Sequence, residues 1–304
     1  MQLGVSSSCL REVSLPEALR WAGESGFQTV EIDAPPMSVR AGGSWFQQSS
    51  LNVSALDGAA RDALVSTLDK AGLKAAALAW RGHLLEADAD RAKAAAAHLG
   101  RVVDAAATLG IGVVTIYVGR TPGATLGDAI AEFARRIAPV LVQAEASHVR
   151  LAVSTSPMIG WQFEDLPGNA AFCPELWEKI FTHVRSEALG LALSPADLAW
   201  TGVDPATAVT DYAEKLFHVH ALDVEMLDLR RQDCSVLRPS GGWWRYRLPG
   251  LGVIDWRRLI DRLHEIQFAG SLVIPQEDHV WQGSLDKVKI GLSLARRHLV
   301  QLLP

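Results

Sequence analysis

Three cysteines, Cys9, Cys173 and Cys234, stand far apart in a chain of 304 residues. So few, and odd in number, they exclude a disulfide framework and a thiolate zinc site. The sequence also lacks any long basic run, and its formal net charge is −5. Nucleic acid and anionic membrane are therefore not expected as partners. No stretch reaches the uninterrupted apolar length that a membrane helix requires. The opening residues, MQLGVSSS, carry no basic segment ahead of an apolar run, so we expect no signal peptide and a cytoplasmic protein. No glycine fingerprint follows the first predicted strand, which argues against an open dinucleotide-binding sheet.

What is present is a recurring local grammar. The stretches AGESGFQTVEID, LDKAGLKAAALAW, AATLGIGVVTIYVG and LHEIQFAGSLVI each run from a helix end, through glycine, into a short apolar strand. Gly26, Gly72 and Gly110 suit the left-handed residue that ends a helix, and Gly270 marks the equivalent turn. Apolar periodicity predicts strands near 2–7, 28–33, 73–79, 112–118, 149–154, 188–193, 216–221 and 270–275. Helical patterns follow each of them, near 14–25, 57–71, 88–109, 126–146, 174–186, 205–214, 255–267 and 283–301. Ser14 and Glu17 stand at capping-box spacing at the start of the first. Strict alternation of eight strands and eight helices, with no dividing linker, predicts one α/β domain over 1–304, a (β/α)8 TIM barrel.

The segments after strands are longer than those before them, above all 34–56, 155–173 and 222–254. In such a barrel these loops gather on the C-terminal face and build the site. Seven of the ten tryptophans fall just beyond strand ends: Trp45, Trp80, Trp161, Trp200, Trp243, Trp244 and Trp281. They suggest an apolar-walled pocket. Alternation assigns Val30, Ile32, Leu151, Val153, Leu191, Leu193, Phe217, Val219, Leu272 and Ile274 to the helix-facing side. The opposite phase, pointing into the barrel, holds Glu31, Asp33, Ala152, Ser154, Ala192, Ser194, His218, His220, Val273, Pro275 and Glu277.

These strand ends, with GGWWRYRLPGLGVIDW, PELWEKIF, LAWTGVDP and FHVHALD, resemble the sugar phosphate isomerase/epimerase family, whose fold is the xylose-isomerase-like TIM barrel. The resemblance runs over nearly the whole chain. It implies a divalent metal such as Mn²⁺, Mg²⁺ or Co²⁺, held by a glutamate after strand five, an aspartate after strand six, a histidine on strand seven and a glutamate after strand eight. Here those positions carry Ser154, Ser194, His220 and Pro275, and Leu222 stands where a lysine is usual. One imidazole and two neutral hydroxyls make a poor site, so we expect no metal cofactor. Rescue by Asp197, Glu277 or Asp223 would require the strand tips to move.

Candidate catalytic residues are His220, Glu277 and Glu31, as acid, base or pocket carboxylate. Trp80, His83, Ser154, Trp161, Ser194, Asp197, Trp243, Trp244, Arg245 and Arg247 are candidates for holding the ligand. The two arginines suit an anionic or polyhydroxy molecule. Glu31 and Asp33 could instead pair with a rim arginine, and Glu277 and Asp278 could be solvated loop acids. The leading expectation is a small polar or carbohydrate-like ligand in the mouth and metal-independent proton transfer or isomerisation. The alternative is an inert barrel that binds a ligand or partners an active homologue, so a homo-oligomer or a hetero-oligomer stays open. A glycoside hydrolase using Glu31 and Glu277 is a third reading.

Overall fold

A computed structural model describes residues 1–36, 48–157, 168–236 and 242–303. In chain order its elements are β1 (Gln2–Ser6), α1 (Leu15–Glu24), β2 (Thr29–Asp33), α2 (Gly58–Ala71), β3 (Lys74–His83), α3 (Ala89–Thr108) and β4 (Val113–Tyr117). There follow α4 (Leu126–Ala146), β5 (Arg150–Ser154), α5 (Pro174–His183), β6 (Leu189–Leu193), α6 (Pro195–Thr201), α7 (Pro205–Asp211) and β7 (Leu216–His220). The last are β8 (Asp223–Met226), α8 (Asp228–Cys234), β9 (Trp244–Arg247), α9 (Trp256–Glu265), β10 (Ser271–Ile274) and α10 (Leu285–Val300). Eight parallel strands close into a barrel in the order β1-β10-β7-β6-β5-β4-β3-β2. The TIM barrel expected from alternation is the fold observed.

Local chemistry places the elements. The Ser14/Glu17 capping box starts α1, with Pro16 in its first turn. Asp57, Asp88, Asp204 and Asp255 cap α2, α3, α7 and α9 by accepting a first-turn amide. Gly26, Gly72 and Gly110 all take positive φ, which a side chain would resist. At the fourth repeat the left-handed residue is Gln267, φ 55°, rather than Gly270.

Two features depart from strict alternation. β6 is followed by two short helices, α6 and α7, and the segment after β7 folds into an antiparallel ribbon of β8 and β9 with α8 between them. Period-counting on a long loop cannot foresee a ribbon that pairs with itself.

The strand faces follow the predicted alternation, with one exception. Val30, Ile32, Leu151, Val153, Leu191, Leu193, Val219, Leu272 and Ile274 pack with the helices in one large core. Phe217 was expected there too, but joins Ala77, Val113, Ala152 and Ala192 in a separate cluster within the barrel. The cause is a register shift. Leu216 pairs with Leu191 and His218 with Ala192, which leaves Phe217 as the extra residue of a bulge. The Arg150 guanidinium lies 4.4 Å from the centre of its ring. Among the described residues no helix is long and apolar enough to cross a membrane.

Candidate active site at the mouth of the barrel

Three side chains from two strands meet inside the barrel. Glu31 of β2 is fully buried, His218 of β7 is 1% exposed and His220 is 13% exposed. His220 donates from Nε2 to Glu31 Oε2 at 2.8 Å. His218 Nε2 lies 3.0 Å from the same oxygen, but off the line its ring N–H would take, so it makes no hydrogen bond. Glu31 Oε1 likewise has none. Burial alone would push the Glu31 carboxyl up, yet the two imidazoles hold it well below the usual range. Burial pushes His218 down, toward the neutral ring.

Arg81, at the end of β3, is the cation of this cluster. Its guanidinium lies 3.7 Å from Glu31 Oε1, donates to Asp33 at 3.2 Å and reaches the hydroxyls of Ser8 and Ser6 at 3.2 and 3.5 Å. The Asp33 carboxylate beside it raises the arginine well above its ordinary value, and burial raises Asp33 in turn. Arg81 and the exposed carboxylate of Glu277 face a cavity of about 180 Å³, together with Ser8, Cys9 and Gln276. The protein crowded around Glu277 pushes its carboxyl upward, against the pull of Arg81.

The positions beside this cluster are tied down by their neighbours. Ser194 accepts the amide of Asp197 at 3.5 Å as the N-cap of α6, and its own amide is bound by Thr155 at 2.9 Å. Asp197 is buried and accepts from Tyr246 and, at 3.4 Å, from Trp200 Nε1. Burial raises its carboxyl. Ser154 is buried, and Asn169 binds its carbonyl at 2.8 Å. Trp244 stacks on Trp200 with ring centres 4.4 Å apart and tilts against Tyr246 at 4.9 Å, while Trp243 is buried.

Two buried carboxylates pin the long segment after β7. Asp223 accepts four bonds: Val224 N at 2.8 Å and Ile254 N at 3.0 Å on Oδ1, Gly250 N at 3.0 Å and Trp256 Nε1 at 2.9 Å on Oδ2. Asp278 accepts from Arg247 Nε at 2.9 Å, Leu248 N at 3.1 Å and Val280 N at 2.9 Å. Asp278 is thus a buried anchor, not a solvated loop acid. Arg245 and Arg247 both bind Glu225, at 2.7 and 2.5 Å.

Of the sequence candidates, the structure brings Glu31 and His220 together and sets Glu277 across Arg81 from Glu31. Trp80 is buried in the core against His98 and so turned from the mouth, because it has the opposite phase to the inward Ala77. His83 ends β3, half-buried, accepting the Leu85 amide at 3.1 Å. Trp161, with Trp45, lies outside the described residues. Arg81 was missed as a site residue. Its signal was available, since it shares the inward phase of Ala77 and Ala79 in KAAALAWRGH, the strand β3. His218 was read as inward but not as part of the site.

The expectation of a chain without metal ligands is corrected by this geometry. Glu31, His218 and His220 each offer a ligand atom, all within 4.8 Å of one another. Two buried polar atoms without partners and an imidazole–imidazole–carboxylate donor set fit a divalent ion. Of the positions implied by resemblance only His220 on strand seven keeps a ligand, while Glu31 on strand two and His218 on strand seven stand at positions the resemblance does not imply.

A family model described as xylose isomerase-like TIM barrel matches residues 19–297. No curated protein sequence matches the chain. Among solved structures, a xylose isomerase domain protein from Planctomyces limnophilus is 18% identical over 99% of this chain and 96% of its own, with a TM-score of 0.71. A D-psicose 3-epimerase from Clostridium cellulolyticum H10, solved with D-tagatose, is 14% identical over 100% and 99%, TM-score 0.71. The IOLI protein, solved with a binding zinc atom, is 16% identical over 99% and 96%, TM-score 0.70. At such identities the likeness is one of fold.

Proposed function

We propose, for a chain that belongs to the xylose isomerase-like TIM barrel family, an isomerase or epimerase that moves a proton at a carbon of a small polyhydroxy ketone. The observation that carries this reading is the juxtaposition, at one barrel mouth, of the Glu31–His218–His220 cluster, the Arg81 guanidinium and the Glu277 carboxyl.

Each residue has a chemical task in this reading. Glu277 faces the cavity with a carboxyl raised toward neutrality, which suits a group that takes a proton from carbon and returns it. Arg81, fixed by Asp33, presents positive charge to the oxygen of a carbonyl as it gains negative charge. Tyr246 and Trp244 pack with Trp200 in an aromatic cluster, and Asp197 orients Tyr246. Glu31, His218 and His220 would hold a divalent cation, which when bound supplies electrostatic stabilisation to substrate oxygens. The neighbouring folds named for D-psicose and D-tagatose make neutral ketohexoses the first probes.

The test is hydrogen exchange. D-Fructose, D-tagatose and D-psicose are incubated with the protein in D₂O and deuterium at the carbons beside the carbonyl is read by NMR. Exchange into at least one ketose, lost in Glu277→Gln, is the expected result. Binding of a ketose without exchange would favour the inert binding reading that Ser154, Ser194 and Pro275 first suggested. Neither binding nor exchange would refute the ketose assignment.

A further inference from the structure

We infer that Glu31 of β2 with His218 and His220 of β7 form a zinc-class metal site, which shares only His220 with the ligand positions that the family resemblance implies. The inference deepens the proposed function, since it names the ion that the catalytic mouth would hold.

The donor set selects the ion. Two imidazole nitrogens and one carboxylate oxygen suit a borderline cation such as Zn²⁺, whereas Mg²⁺ and Ca²⁺ demand shells of oxygen. Three protein ligands also leave one tetrahedral position for water or a substrate oxygen.

Spacing agrees. Zinc bonds of about 2.0–2.1 Å in a tetrahedral shell separate neighbouring ligand atoms by roughly 3.3 Å. Glu31 Oε2 stands 2.8 Å from one histidine Nε2 and 3.0 Å from the other. Between Glu31 and each histidine, seating an ion therefore takes outward movements of a few tenths of an ångström, and all three ligand atoms already lie within 4.8 Å of one another. His218 Nε2 and Glu31 Oε1, buried and without hydrogen bonds, give up no existing bond, while His220 Nε2 releases its proton and its hydrogen bond to Glu31.

The competing sites are closed. Ser154, Ser194 and Pro275 replace the three carboxylates that the resemblance implies. Asp223 has both oxygens filled by four donors, and Asp197 is engaged by Tyr246 and Trp200. Among the described residues, Glu31, His218 and His220 are the one grouping of three such side chains with ligand atoms this close. One feature opposes binding: Arg81, 3.7 Å from Glu31 Oε1, already supplies that carboxylate with positive charge. Removing the guanidinium should tighten the site.

The experiment uses the full chain, stripped with a chelator and then titrated with Zn²⁺, Mg²⁺ or Mn²⁺. Bound metal is counted by elemental analysis after gel filtration. We expect one Zn²⁺ per chain, and Mg²⁺ weaker by on the order of 100-fold or more. Glu31→Gln and His218→Asn should abolish zinc binding. Ser154→Ala, Ser194→Ala and Glu277→Gln should retain it, and Arg81→Met should tighten it by about tenfold. Because substitutions inside a barrel can prevent folding, Co²⁺ is also bound to the unmutated chain. Intense visible absorption of a four- or five-ligand site is expected, and the pale spectrum of a six-oxygen shell would overturn the inference. So would zinc that survives both Glu31→Gln and His218→Asn in folded protein, or no zinc in the stripped chain. Zinc held by these residues without hydrogen exchange would refute the catalytic reading alone, and hydrogen exchange by a folded chain that binds no added zinc would refute the metal site alone.

Discussion

Replacing Asp223 by asparagine changes one oxygen to an NH₂ group and almost nothing in volume. Each carboxylate oxygen accepts two bonds in the structure, so whichever way the amide turns, two donors will face a donor. The position is fully buried, and water cannot substitute. An unsatisfied buried donor costs about 1–3 kcal/mol, which puts the substitution at roughly 2–6 kcal/mol. Unfolding entropy near 2.1 cal/mol/K per residue makes each kcal/mol worth about 1.5 °C in a chain of this size, so Tm should fall by roughly 3–9 °C. The assay is urea unfolding followed by tryptophan fluorescence, with calorimetry for Tm. Trp256→Phe is the calibrating variant: it removes a single one of the four bonds and should cost about 1–2 kcal/mol. A loss below about 1 kcal/mol in Asp223→Asn, or one no larger than in Trp256→Phe, would refute the view that this carboxylate anchors the loop.

Three further expectations concern other positions. Asn169 is buried, donates to the Ser154 and Ser156 carbonyls at 2.8 and 2.7 Å and accepts from Val118 and Gly119. Asn169→Leu should therefore lose about 3–5 kcal/mol in the same unfolding assay, and a loss under 1 kcal/mol would contradict that role. A Cβ at Gly252 would stand 2.2 Å from Asp223 Oδ1 and 2.3 Å from the Val224 carbonyl. Gly252→Ala should thus lower Tm measurably by scanning fluorimetry, whereas an unchanged Tm would show that the loop yields freely. Burial holds His98 below its ordinary pKa, and its Nε2 lies 2.8 Å from the Ala34 carbonyl. The unfolded chain takes up that proton near pH 6.5, so the stability of the neutral ring is complete above that pH and is lost as pH falls below it. His98→Gln should flatten the decline in unfolding free energy between pH 7 and 5.5 by at most about 1.4 kcal/mol per pH unit. An unaltered slope would refute the assignment.

The barrel was legible because its signals are local. Each of the three helix ends at Gly26, Gly72 and Gly110 announces itself within a few residues, and strand phase sorts Glu31 and His220 from Val30 and Val219 without reference to anything distant. Phase failed at Phe217, where a bulge set by the partner strand β6 overrides alternation. The β8–β9 ribbon was hidden because its two strands are separated by α8, so that Trp244 opposite Met226 has no hairpin turn to betray it. Arg245 and Arg247 read as ligand grips in isolation. Their partners, Glu225 and Asp278, became visible only once the ribbon had formed. The metal question turned on the same distinction. Resemblance transfers ligands position by position, but Glu31 and His218 can join the inherited His220 without occupying any inherited position themselves.

The Glu31–His220 bond joins residues 189 apart in sequence and strands that are not neighbours: β1 and β10 lie between them on the shorter way around the barrel. No segment lacking either the second or the seventh strand contains the whole site, so a half-barrel fragment will hold either Glu31 or the two histidines but never all three. Closing so long a stretch of chain carries a large entropic cost and belongs late in folding. Stopped-flow refolding in the presence of a cation-sensitive dye would then register the appearance of the cluster as the last kinetic phase, after helix formation has finished.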